Sequence, residues 1–273
     1  MSMVTKDLAA AVKDQDLFQF FHQQEGEVFR NKEGRITKQV TVNGVGYFVK
    51  LHYGIGWGEI FKNLISLRLP ILGAKPEYDA AIKLKALGLD TLEPVAFDKR
   101  GNNPAKQKSL LVTEEITDYD TLEDLTMHWR KNPPSYTAKK RMVERVATIC
   151  RVMHSAGINH RDLYLCHFLL KDQALPLEQR LAGSAIHLID LHRAQMRNEV
   201  PYRWHEKDLG GLYYSALDIG LNKRDILRFI RIYFNQPVKT AIAENKKLLE
   251  TASRRAVGIY ERYHQRSPTG VPL

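Results

Sequence analysis

The chain has 273 residues, 44% of them apolar and 26% charged, the proportions of an ordinary folded protein long enough for one large domain or two modest lobes. Lys and Arg outnumber Asp and Glu by 41 to 31, a net charge of +10, which points to an anionic partner: nucleic acid, an anionic membrane surface, a phosphorylated substrate or an acidic protein. Composition and pattern exclude several classes. No run reaches the ~20 apolar residues of a membrane span, the start MSMVTKDLAAAVKDQD is too acidic for a secretory signal, and the two cysteines, Cys150 and Cys166, suit a reducing cytosol. With no RNP-like strand, zinc-finger spacing or helix-turn-helix pattern, no nucleic-acid partner is expected.

In chain order, the first part reads as strands. GEVFR, a turn at NKEG, RITKQVTV, Asn43-Gly44 and GYFVKLHY give two hairpin signals joining three β-rich runs. Two helical candidates follow. In GWGEIFKNLISLRL the residues Trp57, Ile60, Phe61, Leu64 and Ile65 share one face, which is either core or a surface for a membrane interface. PEYDAAIKLKALG opens on Pro76 and closes on Gly88. The strand-like TLEPVAF and SLLVTEE finish this lobe, and the break near Thr117 to Asp124 predicts lobes over residues 1–116 and 117–273. The second lobe begins with an amphipathic helix through YTAKKRMVERVATICRVMHSAG, continues in short strands HFLL and AIHLIDL, and ends in helices such as KDLGGLYYSALDIG and KRDILRFIRIYF. A small antiparallel β lobe with one central helix, feeding a helical lobe with short strands at its mouth, is an α+β, two-lobed protein-kinase-like architecture.

The parts of a phosphoryl-transfer site occur in the required order. Lys50 ends the apolar strand YFVK, where an ammonium can reach the α- and β-phosphates of ATP from a rigid support. Glu77, in the first turn of the next helix, is either its fixing acid or an acid placed favourably against the helix dipole. In HRDLYLCHFLL, Asp162 is the candidate base that accepts the proton of an attacking hydroxyl, and His160 and Arg161 hold its loop. Asp190, leaving the strand HLIDLH, stands where a kinase places its Mg²⁺-binding Asp, with Leu191 and His192 in place of Phe and Gly. NKEGRITK offers Gly34 with Lys32, Arg35 and Lys38, a phosphate-covering turn or an ordinary charged hairpin. Asp208 either anchors the catalytic loop or caps a helix. Between Asp190 and Asp208 there is no Ala-Pro-Glu and no room for a peptide-docking segment, so a smaller acceptor is expected.

One position departs from the kinase loop: His167 stands where Asn would hold metal. Mg²⁺ prefers oxygen ligands, so the imidazole is expected to orient Asp190 or Asp162, or to contact a phosphate, rather than to replace Asn as a strong ligand. The scattered Cys and His residues lack the paired spacing of a zinc site.

GIGWGEIFKNLISLRLPILGA, NHRDLYLCHFLL, HLIDLHRAQ and KDLGGLYYSALDIGL together resemble the lipopolysaccharide core heptose(I) kinases of Gram-negative bacteria, over about Glu25 to Phe234. The resemblance implies ATP as phosphate donor and the first heptose of the inner core as acceptor, at the cytoplasmic face of the inner membrane. Carried over residue by residue, it implies Lys50 and Glu77 for nucleotide phosphates, Asp162 as base and Asp190 for Mg²⁺. Such an enzyme is expected to be cytoplasmic and peripheral on an anionic membrane surface, with an acidic protein as a further candidate partner. A kinase for another small-molecule or sugar acceptor, such as an aminoglycoside, and a non-catalytic kinase-fold binding module for an acidic partner are the alternatives.

Overall fold

The computed structural model describes residues 2–32, 34–65 and 73–269. The chain divides into two compact units, Met1–Lys83 with Leu92–Thr117, and Leu84–Thr91 with Asp118–Leu273. The chain passes for the last time from the first unit to the second between Thr117 and Asp118. The excursion Leu84–Thr91 has a physical reason: Leu188 N–H donates to the Asp90 carbonyl, and the Thr91 hydroxyl donates to the Leu188 carbonyl.

The described residues of the first unit form a six-stranded sheet in the order β1-β5-β6-β4-β3-β2. Its strands are β1 (Ser2–Val4), β2 (Gly26–Lys32), β3 (Arg35–Val42), β4 (Val45–His52), β5 (Pro94–Arg100) and β6 (Lys108–Glu114), antiparallel throughout. The two hairpins read from NKEG and Asn-Gly are present. One face of the sheet packs on two helices that the pattern did not announce, α1 (Lys6–Val12) and α2 (Leu17–Gln23), through Leu8, Val12, Phe18 and Phe21 against Val40, Val49, Leu51 and Val112. The two helical candidates read from the sequence are present as α3 (Gly56–Ile65) and α4 (Lys75–Ala86), so among the described residues this lobe carries more than one central helix.

Only part of the apolar stripe on α3 is core. Ile60 is buried, whereas Trp57, Phe61 and Ile65 are 50%, 57% and 83% exposed. The side chain of Leu64 and the stretch from 66 to 72 lie outside the described residues.

In the second unit, β7 (Tyr119–Thr121) leads to α5 (Leu122–Thr126) and to the long α6 (Tyr136–Ser155), whose stripe Met142, Val143, Val146, Ala147, Cys150 and Met153 is buried. Next come β8 (Ile158–Asn159), β9 (Phe168–Lys171), α7 (Leu177–Gly183), β10 (Ile186–Leu188) and β11 (Gln195–Met196). Helices α8 (Tyr202–Ala216), α9 (Lys223–Tyr233), α10 (Val238–Glu244) and α11 (Lys246–His264) complete it. Strand β9 lies between β10 and β7, and β11 pairs with β8. The loop between β8 and β9 and the loop after β10 are thereby set side by side. Among the described residues no helix is long and apolar enough to cross a membrane.

Candidate active site

In the first unit the side chains of β4 alternate. Val49 and Leu51 point into the core beneath α1 and α2, so Lys50 between them projects from the opposite face. There its ammonium meets the Glu77 carboxylate at 2.6 Å. Glu77 lies in the first turn of α4 and is 1% exposed, so the pair is a half-buried, charge-assisted contact and not a surface bridge. Gly34, with φ +70°, occupies the turn between β2 and β3.

Lys38 is a correction. It shares the inward parity of Val40 and Val42, is 6% exposed, and donates to the carbonyls of His22 and Gln24 at 3.0 and 2.5 Å. Those carbonyls end α2, where the chain lacks intrahelical donors and the helix dipole favours a cation. Burial pushes its ammonium below the ordinary lysine range. It holds a helix end, not a phosphate.

In the second unit the loop from His160 to His167 is held at several points. The Asp208 carboxylate, buried on α8, accepts the main-chain N–H of His160 at 2.6 Å and of Arg161 at 2.7 Å. The helix starts after Pro201, so Asp208 lies in its interior and the helix-cap reading is wrong. Its other neighbour is His154, whose Nε2 donates to it at 3.2 Å while Nδ1 accepts from the Tyr233 hydroxyl at 2.6 Å. Burial pushes the Asp208 pKa up, but these hydrogen bonds and the nearby imidazoles outweigh it and hold the carboxyl below its usual range. Gly211, one turn along, lets the helix come close: a Cβ there would stand 3.0 Å from the Leu163 carbonyl.

His160 is fully buried and bonds the Ile189 carbonyl through Nε2 at 2.8 Å, lacing the loop to the strand exit before Asp190. Burial pushes this imidazole below its ordinary value, so it holds the loop as a neutral donor. Arg161 takes a left-handed backbone, φ +77°, and stacks its guanidinium on Trp204 at 4.7 Å.

Two acids flank His167. Its Nδ1 lies 2.7 Å from the main-chain carbonyl of Asp162, which can only accept, so Nδ1 carries the proton and Nε2 faces the Asp190 carboxylate at 3.5 Å. Asp190 itself is left-handed, φ +62°, and accepts from His192 Nδ1 at 2.5 Å. Leu191 is buried in the position of the kinase Phe. Asp162 is gripped by two residues that no motif marks: Arg193 Nη1 lies 2.9 Å from both carboxylate oxygens, and the Lys207 ammonium 3.8 Å from one. Arg193 stands in the quoted HLIDLHRAQ, and Lys207 immediately precedes Asp208.

Among the described residues no three His, Cys, Asp or Glu side chains converge into a metal cage. Mg²⁺ held against phosphates needs less, one or two carboxylates with the phosphates completing the shell. The Asp190 carboxylate, one-third exposed, fits that demand.

The sequence pattern of the lipopolysaccharide kinase (Kdo/WaaP) family matches residues 19–233. The lipopolysaccharide core heptose(I) kinase WaaP of Pseudomonas aeruginosa is 47% identical over 249 residues, covering 90% of this chain and 91% of that protein. The enzyme of the same name from Escherichia coli K12 is 44% identical over 262 residues, 96% and 98% of the two chains. A solved structure described as WaaP in complex with acyl carrier protein superposes with a TM-score of 0.83 at 39% identity, covering 96% of this chain and all of that one.

Proposed function

This chain belongs to the lipopolysaccharide kinase (Kdo/WaaP) family, and we propose that it transfers the γ-phosphoryl group of ATP to a hydroxyl of the first heptose of the lipopolysaccharide inner core. The observation that carries this reading is the clamp on the catalytic loop: Asp208 holds the backbone of His160 and Arg161, and so directs the next residue, Asp162. The relatives named heptose(I) kinases supply the acceptor.

In this reading the acceptor hydroxyl attacks the γ-phosphorus in line, the bond to the β-phosphate oxygen breaks, and ADP leaves with that electron pair. The hydroxyl proton passes to the Asp162 carboxylate. Lys50, fixed by Glu77, contacts the nucleotide phosphates. Asp190 would hold Mg²⁺, which when bound screens the phosphate charge. His167 bonds the main chain of Asp162 through Nδ1 and sets its Nε2 beside the Asp190 carboxylate. Catalysis rests on positioning and charge stabilisation.

Peripheral membrane association belongs to the same proposal. The exposed face of Trp57, Phe61 and Ile65 and the +10 net charge suit an anionic interface. So does a protein partner: by analogy with the solved relative, this chain pairs with an acyl carrier protein.

The test is transfer from labelled ATP with Mg²⁺ to a core glycolipid lacking heptose phosphate, with the product's phosphate located by mass spectrometry. Label on the first heptose is expected. Label on another sugar would make this a kinase of different acceptor, and no label from a protein that binds ATP would point to the binding module.

A further inference from the structure

A cationic nest lies beside Asp162. The guanidinium groups of Arg161 and Arg203 lie 4.7 and 4.5 Å from the centre of the Trp204 ring, and the Lys207 ammonium 5.7 Å from it. Arg193 joins from the other side through Asp162. Asp208 does not serve as their counter-ion, because its oxygens are engaged by the His160 and Arg161 amides and by His154. Among the described residues Arg161 and Arg203 pair with no carboxylate, and the buried Nε of Arg161 and Nε1 of Trp204 have no acceptor. A buried donor without an acceptor costs roughly 1–3 kcal/mol.

The cations also strain one another. Burial first, and then the neighbouring Arg193, push the Arg161 guanidinium below its ordinary value. Lys207 is lowered by burial and further by Arg193 and Arg161, with Asp162 pulling the other way. Such an arrangement is relieved by an anion.

We propose that Arg161, Arg193, Arg203 and Lys207, gathered on Trp204, form an acceptor subsite for a carboxylate or phosphate carried by the glycolipid, so that binding this anion brings the neutral sugar hydroxyl to Asp162. The proposal rests on Asp162 being the base for a sugar acceptor. Four of the five residues come from the interval between Asp190 and Asp208, the stretch that docks the acceptor in a protein kinase and is here too short to dock a peptide. Guanidinium groups are suited to the task, since their planar fork pairs with two oxygens at once and stacks on an aromatic face. Arg193 is shared: it pairs with Asp162 in the structure, and the acceptor anion competes for it.

The test uses three acceptors: O-deacylated core glycolipid lacking heptose phosphate, the same with its carboxyls reduced to alcohols, and the same with its remaining phosphates removed. Equilibrium binding is measured without ATP, beside acceptor and ATP KM values, for the wild type, Arg203→Gln and Lys207→Gln. The wild type is expected to lose roughly ten- to hundredfold in affinity, the worth of a charge-assisted hydrogen bond, for whichever modified acceptor lacks the recognised anion, which tells carboxylate from phosphate. The variants should bind the parent glycolipid correspondingly more weakly, be indifferent to that modification, and keep the ATP KM. Arg203 is exposed, so its variant keeps the test alive if Lys207→Gln does not fold. Binding that ignores both modifications, no binding of the parent, or a shift in ATP KM instead would overturn the subsite. A wild type that binds the acceptor with the expected charge dependence but transfers no phosphate would refute the kinase reading and leave the subsite standing.

Discussion

Asp208 fixes the backbone of Arg161: its Oδ1 accepts the Arg161 amide at 2.7 Å while that residue holds φ +77°. A left-handed non-glycine residue is uphill by about 1–3 kcal/mol, and the carboxylate on two successive amides offsets that cost. In Asp208→Asn an NH₂ replaces one acceptor and faces an N–H. The variant should lose about 3 kcal/mol of stability in urea unfolding, the scale of breaking a buried charged pair, and about a hundredfold in kcat through misplacement of Asp162. Wild-type kcat in this variant would remove the clamp from the account.

Acid sensitivity should arise on the same helix. His205, bonded to the Tyr233 hydroxyl at 2.8 Å, has its pKa pushed down to about 4, by burial first and then by His154. Between about pH 6.5 and about 4 the unfolded chain therefore binds a proton the folded chain refuses, and stability falls as pH falls through that window. Asp208, held below its usual range, adds a loss of the same sign at lower pH, beneath the ordinary carboxylate value. The urea midpoint should drop from pH 7 to pH 4.5, and His205→Gln should make the slope shallower. An equal slope in both proteins would assign the acid sensitivity elsewhere.

Lys50 and Glu77 should act on nucleotide. Removing the Glu77 charge leaves the ammonium without the buried partner at 2.6 Å, so Glu77→Gln should weaken ATP binding roughly tenfold, about one charge-assisted hydrogen bond. Acceptor binding without ATP should not change. A fluorescent ATP analogue reads the first and calorimetry the second; unaltered nucleotide affinity would return Glu77 to a helix-dipole role.

His167 is the residue that distinguishes this loop from a kinase loop. With Nδ1 on the Asp162 carbonyl and Nε2 toward Asp190, His167→Ala should lower kcat about 10- to 100-fold, with ATP affinity nearly kept. His167→Asn that retained full activity with a tighter Mg²⁺ dependence would show that the position is a metal ligand after all.

Much of this was legible in the sequence wherever local chemistry decides the outcome. The Asn-Gly turn, the Gly after α6 and the alternation of YFVK each fix a backbone or a face without help from distant residues. Lys38 carries the charge of a phosphate contact beside a glycine turn, but its parity with Val40 and Val42 places it inward. Helices α1 and α2 leave little trace in the sequence because seven-residue helices have no stability of their own and form only when Leu8, Val12, Phe18 and Phe21 find the sheet. At Asp208 the pattern leaves anchor and cap open, and Pro201, the better helix-start signal, decides for the anchor. The Arg193 and Lys207 grip on Asp162 is a property of the folded chain alone, since contacts across such separations leave no periodic trace.

The central claim is that Asp162 is the base for phosphoryl transfer to the heptose. The decisive measurement is transfer of labelled phosphate to the core glycolipid by wild type and Asp162→Ala, with ATP affinity determined for both. The account predicts transfer by the wild type, its loss by more than about a hundredfold in the variant, and ATP affinity within about twofold. Undiminished transfer by Asp162→Ala, or nucleotide binding lost together with transfer, would contradict it.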